Sequence, residues 1–155
     1  TDVKYLYISN KNKKYVKENS QYFERNYVQV ENILIGRVGR KCIGKIAIVT
    51  EEFKNSVISD CIICLDIKNI DPYYLTIYLA TKYGQIQLKG ISRGSGSKYI
   101  TVKDLQNLKI INPPKNIQKR FRKKYIHIIE KKEEIEYEKS FEDVILKLEL
   151  ELERK

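Results

Sequence analysis

The sequence predicts a mixed α/β (α+β) fold, with one globular region of short strands and helices followed by a long C-terminal helix of coiled-coil type. Three observations predict it. Short β-branched runs separated by turns fill residues 33–67. Aromatic and aliphatic residues recur at three- and four-residue spacing after Asp71-Pro72. Residues 115–155 contain neither glycine nor proline, which allows one long helix.

The strands come first along the chain. Residues 33–35 and 46–49 are predicted to be buried strands on either side of a glycine-bearing turn at 36–44. Apolar residues at 57–58 and 61–67 continue the pattern after further turns. We therefore expect short buried strands around a glycine-bearing loop.

Helices follow the strands. Asp71-Pro72 begins a helix that we expect to end at Gly84, since proline suits a first turn and glycine ends helices. Residues 89–98 are rich in glycine and serine and predict an exposed loop. Thr101 can cap a short helix that runs to Leu108, and residues 109–111 are predicted to return as a strand.

Pro113-Pro114 marks the predicted domain boundary, because two residues without N–H groups end a preceding strand. Residues 1–114 contain 18 basic and 10 acidic residues, a net charge of +8, whereas residues 115–155 carry only +2. The excess charge therefore belongs to a globular part, residues 1–114. Residues 115–155 are predicted to form a helical arm.

The helical arm would span about 60 Å as one helix at 1.5 Å per residue. Its apolar residues follow the 3-4 spacing of a coiled-coil seam. A single helix cannot bury such a stripe, so we expect a partner helix from the parent chain, a second copy or another protein. Packing of the arm onto its own domain is the alternative. The expected partner-helix contacts are Phe121, Tyr125, Ile128, Phe141, Ile145, Leu148 and Leu152.

Length and charge restrict the class of protein. A chain of 155 residues has room for one ordinary domain with an appendage. Its 30 lysines and arginines against 20 acidic residues give a net charge of +10, which favours polyanionic partners such as nucleic acid or acidic lipid. The overall charge does not choose between these partners.

The sequence has the composition expected inside a cell. No apolar run approaches the ~20 residues of a membrane span, and no signal-peptide pattern follows Thr1. Three cysteines are too few for a disulfide framework and fit a reducing compartment. We therefore expect a cytoplasmic protein without a membrane partner. Since the chain contains no methionine, we also expect it to be a piece of a longer protein.

Two short motifs resemble parts of an adenine methyltransferase, but neither is complete. Asn112-Pro-Pro-Lys115 has a lysine where such enzymes place an aromatic ring against the flipped base. Asp71-Pro-Tyr-Tyr74 has no glycine-bearing cofactor turn before it. We therefore expect no catalytic residues and no cofactor in this chain.

Cys61-x-x-Cys64 has the spacing of a zinc or redox site. Zinc needs four ligands, and the other candidates are only Cys42 and His127. Two isoleucines fill the gap between the cysteines, as in a buried strand where cysteine behaves as a small hydrophobic residue. We therefore expect no metal site.

Two loops combine cations with small residues. The first basic loop, residues 36–45, contains no acid and suits phosphate contact and bidentate reading of guanine by arginine. The second basic loop, residues 89–98, alternates cations with glycine and serine, which let a backbone approach DNA closely. The candidate DNA-binding residues are Arg37, Arg40, Lys41, Lys45, Lys89, Arg93, Ser95, Ser97 and Lys98.

The order of several motifs carries a family resemblance. The motifs are the 33–49 series, Asp71-Pro-Tyr-Tyr-Leu75, Gly84-Gln85, Arg93-Gly-Ser95, 105–111, and Pro113-Pro114 followed by Gln118. Together, across residues 5–155, they resemble a target recognition domain of the specificity (S) subunit of bacterial type I restriction–modification systems. Arg40 departs from the family, which usually shows threonine or a similar small residue there.

The resemblance implies an α/β unit that reads half of a split double-stranded DNA target, with its opening part cut off here. The helix after Pro114 would pair with a second recognition domain or a second copy. Adenine N6-methylation and cleavage would belong to partner modification and restriction subunits. Related domains are fused to N6-adenine methyltransferases, so that parent stays open. A helical assembly module without DNA reading and an RNA-binding module are the alternative functions.

Overall fold

A three-stranded antiparallel sheet forms the centre of the fold. The computed structural model describes residues 3–11, 27–131 and 134–154. The strands are β1 (Ile33–Gly36), β2 (Ile46–Ile48) and β3 (Ile62–Leu65), in the order β2-β1-β3. Within the described residues, five α-helices follow β3, which confirms the predicted mixed α/β fold.

Both faces of the sheet are covered. The alternating side chains of β1 place Ile33 and Ile35 in the main hydrophobic core, whereas Leu34 lies in a second, smaller cluster with Val3 and Val28. In β2, Ile46 and Ile48 lie in the main core and Ala47 lies in the smaller cluster. This is why the sequence of β1 is an unbroken apolar run rather than an alternating one.

The first helix, α1 (Pro72–Ala80), lies in the middle of the main core. All nine of its residues are buried, because β2, α2, α4 and α5 pack around it. Asp71 begins the helix as predicted: its carboxylate accepts hydrogen bonds from the backbone N–H groups of Tyr73 and Tyr74, at 3.0 and 3.1 Å.

The predicted end of this helix at Gly84 is wrong. The helix breaks at Thr81, whose hydroxyl donates to the carbonyl of Tyr78 at 2.6 Å, and α2 (Lys82–Gly90) begins at the next residue. Gly84 lies inside α2, where a Cβ atom would be only 2.4 Å from the Cα atom of Leu79. The glycine therefore lets α2 pack closely against the end of α1.

The predicted strands at residues 57–58 and 109–111 are also wrong, and the strand predicted at 61–67 is shorter than expected. Residues 57–58 form only an isolated bridge from Val57 to Tyr27, and the strand expected at 61–67 is limited to β3. Residues 109–111 form no strand, because side chains satisfy their backbone. Gln87 bonds the N–H and C=O groups of Lys109, at 2.7 and 3.0 Å, and the Tyr74 hydroxyl donates to the Ile111 carbonyl at 2.9 Å.

A short helix, α3 (Val102–Leu105), follows the second basic loop. Its predicted cap at Thr101 is confirmed by a capping box, in which Thr101 and Asp104 each accept from the backbone N–H group of the other. The helix ends at Leu105 rather than at Leu108. A 3₁₀ turn, Glu51–Phe53, follows β2.

The helical arm consists of two helices, α4 (Lys115–Lys131) and α5 (Glu134–Glu153). Arg120 in α4 forms an ion pair with Glu151 in α5. In one straight helix these residues would lie ~46 Å apart at 1.5 Å per residue, so α5 must run back alongside α4. The predicted continuous helix is therefore wrong, although residues 132–133 lie outside the described part. None of the described helices could cross a membrane.

The hairpin also corrects the predicted partner-helix contacts. Tyr125 and Phe141 contact each other, with ring centres 4.8 Å apart, and both are fully buried in the main core. The remaining contact residues are buried or half-buried in the same core: Phe121, Ile128, Ile145, Leu148 and Leu152. The chain therefore covers most of its own apolar stripe with α1 and the opposite arm of the hairpin, and Ile145 and Leu152 stay half-buried.

Candidate nucleic-acid interface

The first basic loop joins β1 to β2 and is held by its own backbone. The N–H group of Gly36 donates to the carbonyl of Lys45 at 3.0 Å, and Lys45 donates to Cys42 at 3.0 Å. A Cβ atom at Gly36 would lie 2.2 Å from the carbonyl oxygen of Cys42, so only glycine fits there. The loop is therefore a compact turn on the end of the sheet.

A helix supports the first basic loop from behind. The side-chain amide of Gln85 in α2 donates to the carbonyls of Gly44 and Leu79, both at 2.9 Å. Gly44 has φ +90°, and a Cβ atom there would lie 2.4 Å from the Gln85 oxygen. The loop is therefore tied to the point where α1 ends and α2 packs against it.

The second basic loop is a closed turn. Arg93 and Tyr99 exchange two backbone hydrogen bonds, at 2.9 and 3.0 Å, which close residues 94–98 into a tip. Gly94 has φ +91°, and a Cβ atom there would lie 2.5 Å from the carbonyl oxygen of Ser97. Lys89 lies outside this turn, in the last turn of α2, where its side chain is exposed.

The structure joins the two basic loops to each other. The N–H group of Gly39 donates to the carbonyl of Lys98, and that of Ile100 donates to the carbonyl of Arg37, both at 2.8 Å. The guanidinium of Arg40 donates to the carbonyl of Ser95 at 3.3 Å. Residues some 55 positions apart in sequence therefore form one surface, which we call the joined basic loops (residues 36–45 and 89–98).

The candidate DNA-binding side chains differ in exposure. Those exposed at this surface are Arg40, Lys41, Lys89, Arg93, Ser95 and Ser97. Those that are half-buried are Arg37, Lys45 and Lys98. Since neither loop contains an acidic residue, the surface is strongly positive and suits a polyanion.

Arg37 is one of the half-buried cations of this surface. Its backbone N–H donates to the carbonyl of Cys61 at 2.9 Å, and its carbonyl accepts from Ile100. In the part of the chain that the structure describes, its Nε is the buried side-chain nitrogen or oxygen without a hydrogen-bond partner.

Asp104 is a site residue that the sequence did not indicate. Its side chain is 3% exposed and forms an ion pair with Nη2 of Arg93, whose side chain is 62% exposed. The carboxylate also accepts from the Thr101 hydroxyl at 2.7 Å and from the Thr101 N–H at 2.9 Å. These two bonds, and then Arg93, lower the pKa of Asp104, so the carboxylate is ionised at neutral pH.

Residues of the two partial enzyme motifs make hydrogen bonds that connect structural elements. The side-chain oxygen of Asn112 accepts from Gln118 at 2.8 Å, and Gln118 also donates to the Pro113 carbonyl at 2.7 Å. Gln118 accepts in turn from the backbone of Asp71, at 2.8 Å. The Asn-Pro-Pro segment therefore connects the start of α1 to the start of α4.

The cysteines occupy different positions from those expected. Cys61 and Cys64 are exposed rather than buried, because they lie at and beside the edge strand β3. Partial burial and the nearby Asp66 raise the pKa of the Cys64 thiol. No group of three or more potential metal ligands occurs among the described residues.

The chain matches a known protein family. The family described as type I restriction modification DNA specificity domain matches residues 1–140 of the chain. The matched region includes the sheet, the joined basic loops, α4 and the first turns of α5. A comparison with curated proteins gives no significant match.

Proposed function

Because the chain belongs to the family of type I restriction modification DNA specificity domains, we propose that the joined basic loops are the surface with which it reads its DNA target. The family assigns the chain to DNA sequence recognition in a restriction–modification system. The finer proposal concerns which residues make the contacts. It names the two loops rather than the helical hairpin.

The observation that carries the proposal is the hydrogen bonding between the loops. Gly39 bonds Lys98 and Arg37 bonds Ile100 at 2.8 Å, so cations from two distant segments share one rigid surface. A solvated turn with incidental lysines needs no such connection. A fixed set of donors on small-residue turns is what close approach to a DNA groove requires.

The cations of this surface have different proposed roles. Arg40 and Lys41 are exposed on the first basic loop and would contact phosphates, with Lys89 and Lys98 adding charge. Ser95 and Ser97 would support phosphate contacts through their hydroxyl groups. Arg37 and Lys45 are half-buried and would fix the loop as well as contribute charge.

We also propose the partners that such a system requires. Modification subunits would carry out adenine methylation and a restriction subunit would carry out cleavage, with this chain contributing recognition rather than catalysis. The family assignment supports these partners. A second recognition domain would read the other half of a split target, and it could not pair through the buried seam of the hairpin.

The proposal is tested by the salt dependence of DNA binding. The chain, assembled in its parent complex, is titrated with random-sequence duplexes over a range of salt concentrations, as the wild type and as Arg40→Ala/Lys41→Ala. Each lost phosphate contact makes the logarithmic salt slope shallower by about one unit, so the double variant should lose about two.

The matched control is Lys54→Ala/Lys68→Ala. Both lysines are exposed, and Lys68 follows Leu65, which pairs with Ile33 at the sheet end opposite the first basic loop. The control should retain the wild-type slope. Equal slopes for all three proteins would overturn the assignment of these two residues to the phosphate backbone. Absence of duplex binding at every salt concentration would instead favour a helical assembly module.

A further inference from the structure

We infer that Arg93 reads a guanine base in the DNA target and that Asp104 is the positioning residue that holds it for this purpose. The inference rests on the proposed function and deepens it, because it separates one base-reading residue from the cations that contact phosphate. It also adds Asp104, a residue outside both basic loops, to the recognition surface.

The geometry fixes both partners. Asp104 is held at the start of α3 by the two hydrogen bonds from Thr101, at 2.7 and 2.9 Å. Arg93 is held at the base of the second basic loop by its paired backbone bonds to Tyr99, at 2.9 and 3.0 Å. The ion pair therefore connects two anchored points, and the guanidinium cannot rotate freely.

The guanidinium keeps donors for a second acceptor. Arginine has five N–H donors in a planar fork. Within the described residues, Arg93 uses only Nη2, toward Asp104, and its side chain is 62% exposed. The remaining N–H groups can therefore donate to the O6 and N7 atoms of guanine, the commonest specific arginine contact in the major groove.

The local charge favours a base over a phosphate. The carboxylate of Asp104 balances the positive charge of Arg93, and a phosphate brought to the pair would meet that negative charge. The acceptors of guanine are uncharged, so they gain the directional hydrogen bonds without this repulsion. Arg40 differs, since it donates to the neutral carbonyl of Ser95 and keeps its whole charge for a phosphate.

Preorganisation gives Asp104 a further role. Ordering a long side chain at an interface costs conformational entropy. The ion pair orders Arg93 before DNA arrives, so less of this cost falls on binding. A guanidinium held in one orientation also discriminates better between bases than one that can follow the acceptor.

The experiment compares base preference with general DNA affinity. The assembled parent complex selects from a pool of randomised duplexes, and the bound fraction is sequenced for the wild type, Arg93→Lys and Asp104→Asn. We expect one G·C pair of the wild-type motif to lose its preference by about fivefold or more in both variants, while the other positions persist. Affinity for unselected duplexes should be retained in Arg93→Lys and retained or raised in Asp104→Asn.

The control and the outcomes separate three cases. Glu151→Gln removes the acid of a distant ion pair, with Arg120, and should leave the whole motif unchanged. An unchanged motif in a folded Arg93→Lys overturns the inference and leaves the proposed function intact. Loss of both specific and unselected binding in a folded Asp104→Asn also overturns it, because Asp104 then only supports the loop. A wild type that selects no motif contradicts the proposed function itself.

Discussion

The guanidinium of Arg122 lies 4.3 Å above the centre of the Tyr73 ring. The same guanidinium forms ion pairs with Asp71, the cap of α1, and with Glu31, which precedes β1. Arg122 lies in α4, so one side chain connects the hairpin, the central helix and the sheet. These contacts of Arg122 attach the helical arm to the start of α1 and to the segment before β1.

Replacement of Arg122 by alanine should destabilise the fold by about 2 kcal/mol, through lost charged hydrogen bonds and the lost contact with Tyr73. Urea unfolding followed by circular dichroism measures the difference. Arg120→Ala is the matched control, because its ion pair with Glu151 is more exposed and contributes about 0.5 kcal/mol. Equal losses in the two variants would contradict the connecting role of Arg122.

Replacement of Tyr125 by phenylalanine should cost about 1–3 kcal/mol, because it leaves a buried carbonyl without its donor. The Tyr125 hydroxyl donates to the carbonyl of Leu6 inside the main core. Tyr83→Phe is the control, since the Tyr83 hydroxyl donates to Glu153 at the surface. The chemical denaturation midpoint of Tyr125→Phe should be clearly lower than that of Tyr83→Phe. Similar midpoints would show that the Leu6 carbonyl finds another donor.

Gly84→Ala should destabilise the fold by about 1–3 kcal/mol through overpacking. The added Cβ atom would meet the backbone of Leu79, which cannot move away as a flexible side chain could. Gly90→Ala provides the comparison in the same helix, with no atom within 4 Å of its added Cβ. That variant should be neutral or stabilised by about 0.5 kcal/mol. Thermal unfolding of both proteins tests the close packing of α1 and α2.

Alkaline pH should unfold the protein through its buried tyrosines. Burial, with Glu149 and Glu142 nearby, raises the pKa of Tyr5 to about 12, and burial also raises the pKa of Tyr74 and Tyr125. The folded state thus holds these protons more tightly than the unfolded chain, whose tyrosines titrate near 10. The stability should be complete below pH ~10 and decline as the pH rises toward ~12.

Tyr5→Phe isolates one of these groups. It removes a titrating hydroxyl that donates to the Ala80 carbonyl, so the variant should be less stable at neutral pH but lose less stability with rising pH. Tyrosinate absorbance and circular dichroism, recorded together, follow ionisation and unfolding. Full ionisation of all tyrosines near pH ~10 in a folded protein would contradict the burial of these hydroxyls.

Local patterns predicted much of this fold. The apolar run of β1, the Asp71 cap and the Thr101 capping box all depend on neighbouring residues, so they can be read along the chain. The break at Thr81 and the return of α5 alongside α4 depend on packing between distant elements. No local pattern shows that α1 will be covered on every side, or that the helical stripe will find its partner within the same chain.

The candidate site likewise combines features that local sequence patterns predict with features that depend on contacts between distant residues. Each basic loop is visible in the sequence, because cations and small residues lie close together along the chain. The hydrogen bonds that join Arg40 to Ser95 and Gly39 to Lys98 are long-range and follow only from the fold. Asp104 could have been suspected from the Thr101 capping pattern, but its pairing with Arg93 could not.

The bonds between the basic loops also restrict how this protein can evolve. Gly39 donates to the carbonyl of Lys98, and the carbonyl of Arg37 accepts from Ile100, so a change in the shape of one loop leaves backbone groups of the other unpaired. If these loops read the target as proposed, new target sequences would arise by side-chain substitution on a constant frame, or by exchange of both loops in one recombination event. A chimera that inherits residues 36–45 from one parent and 89–98 from another should recognise neither parental sequence well.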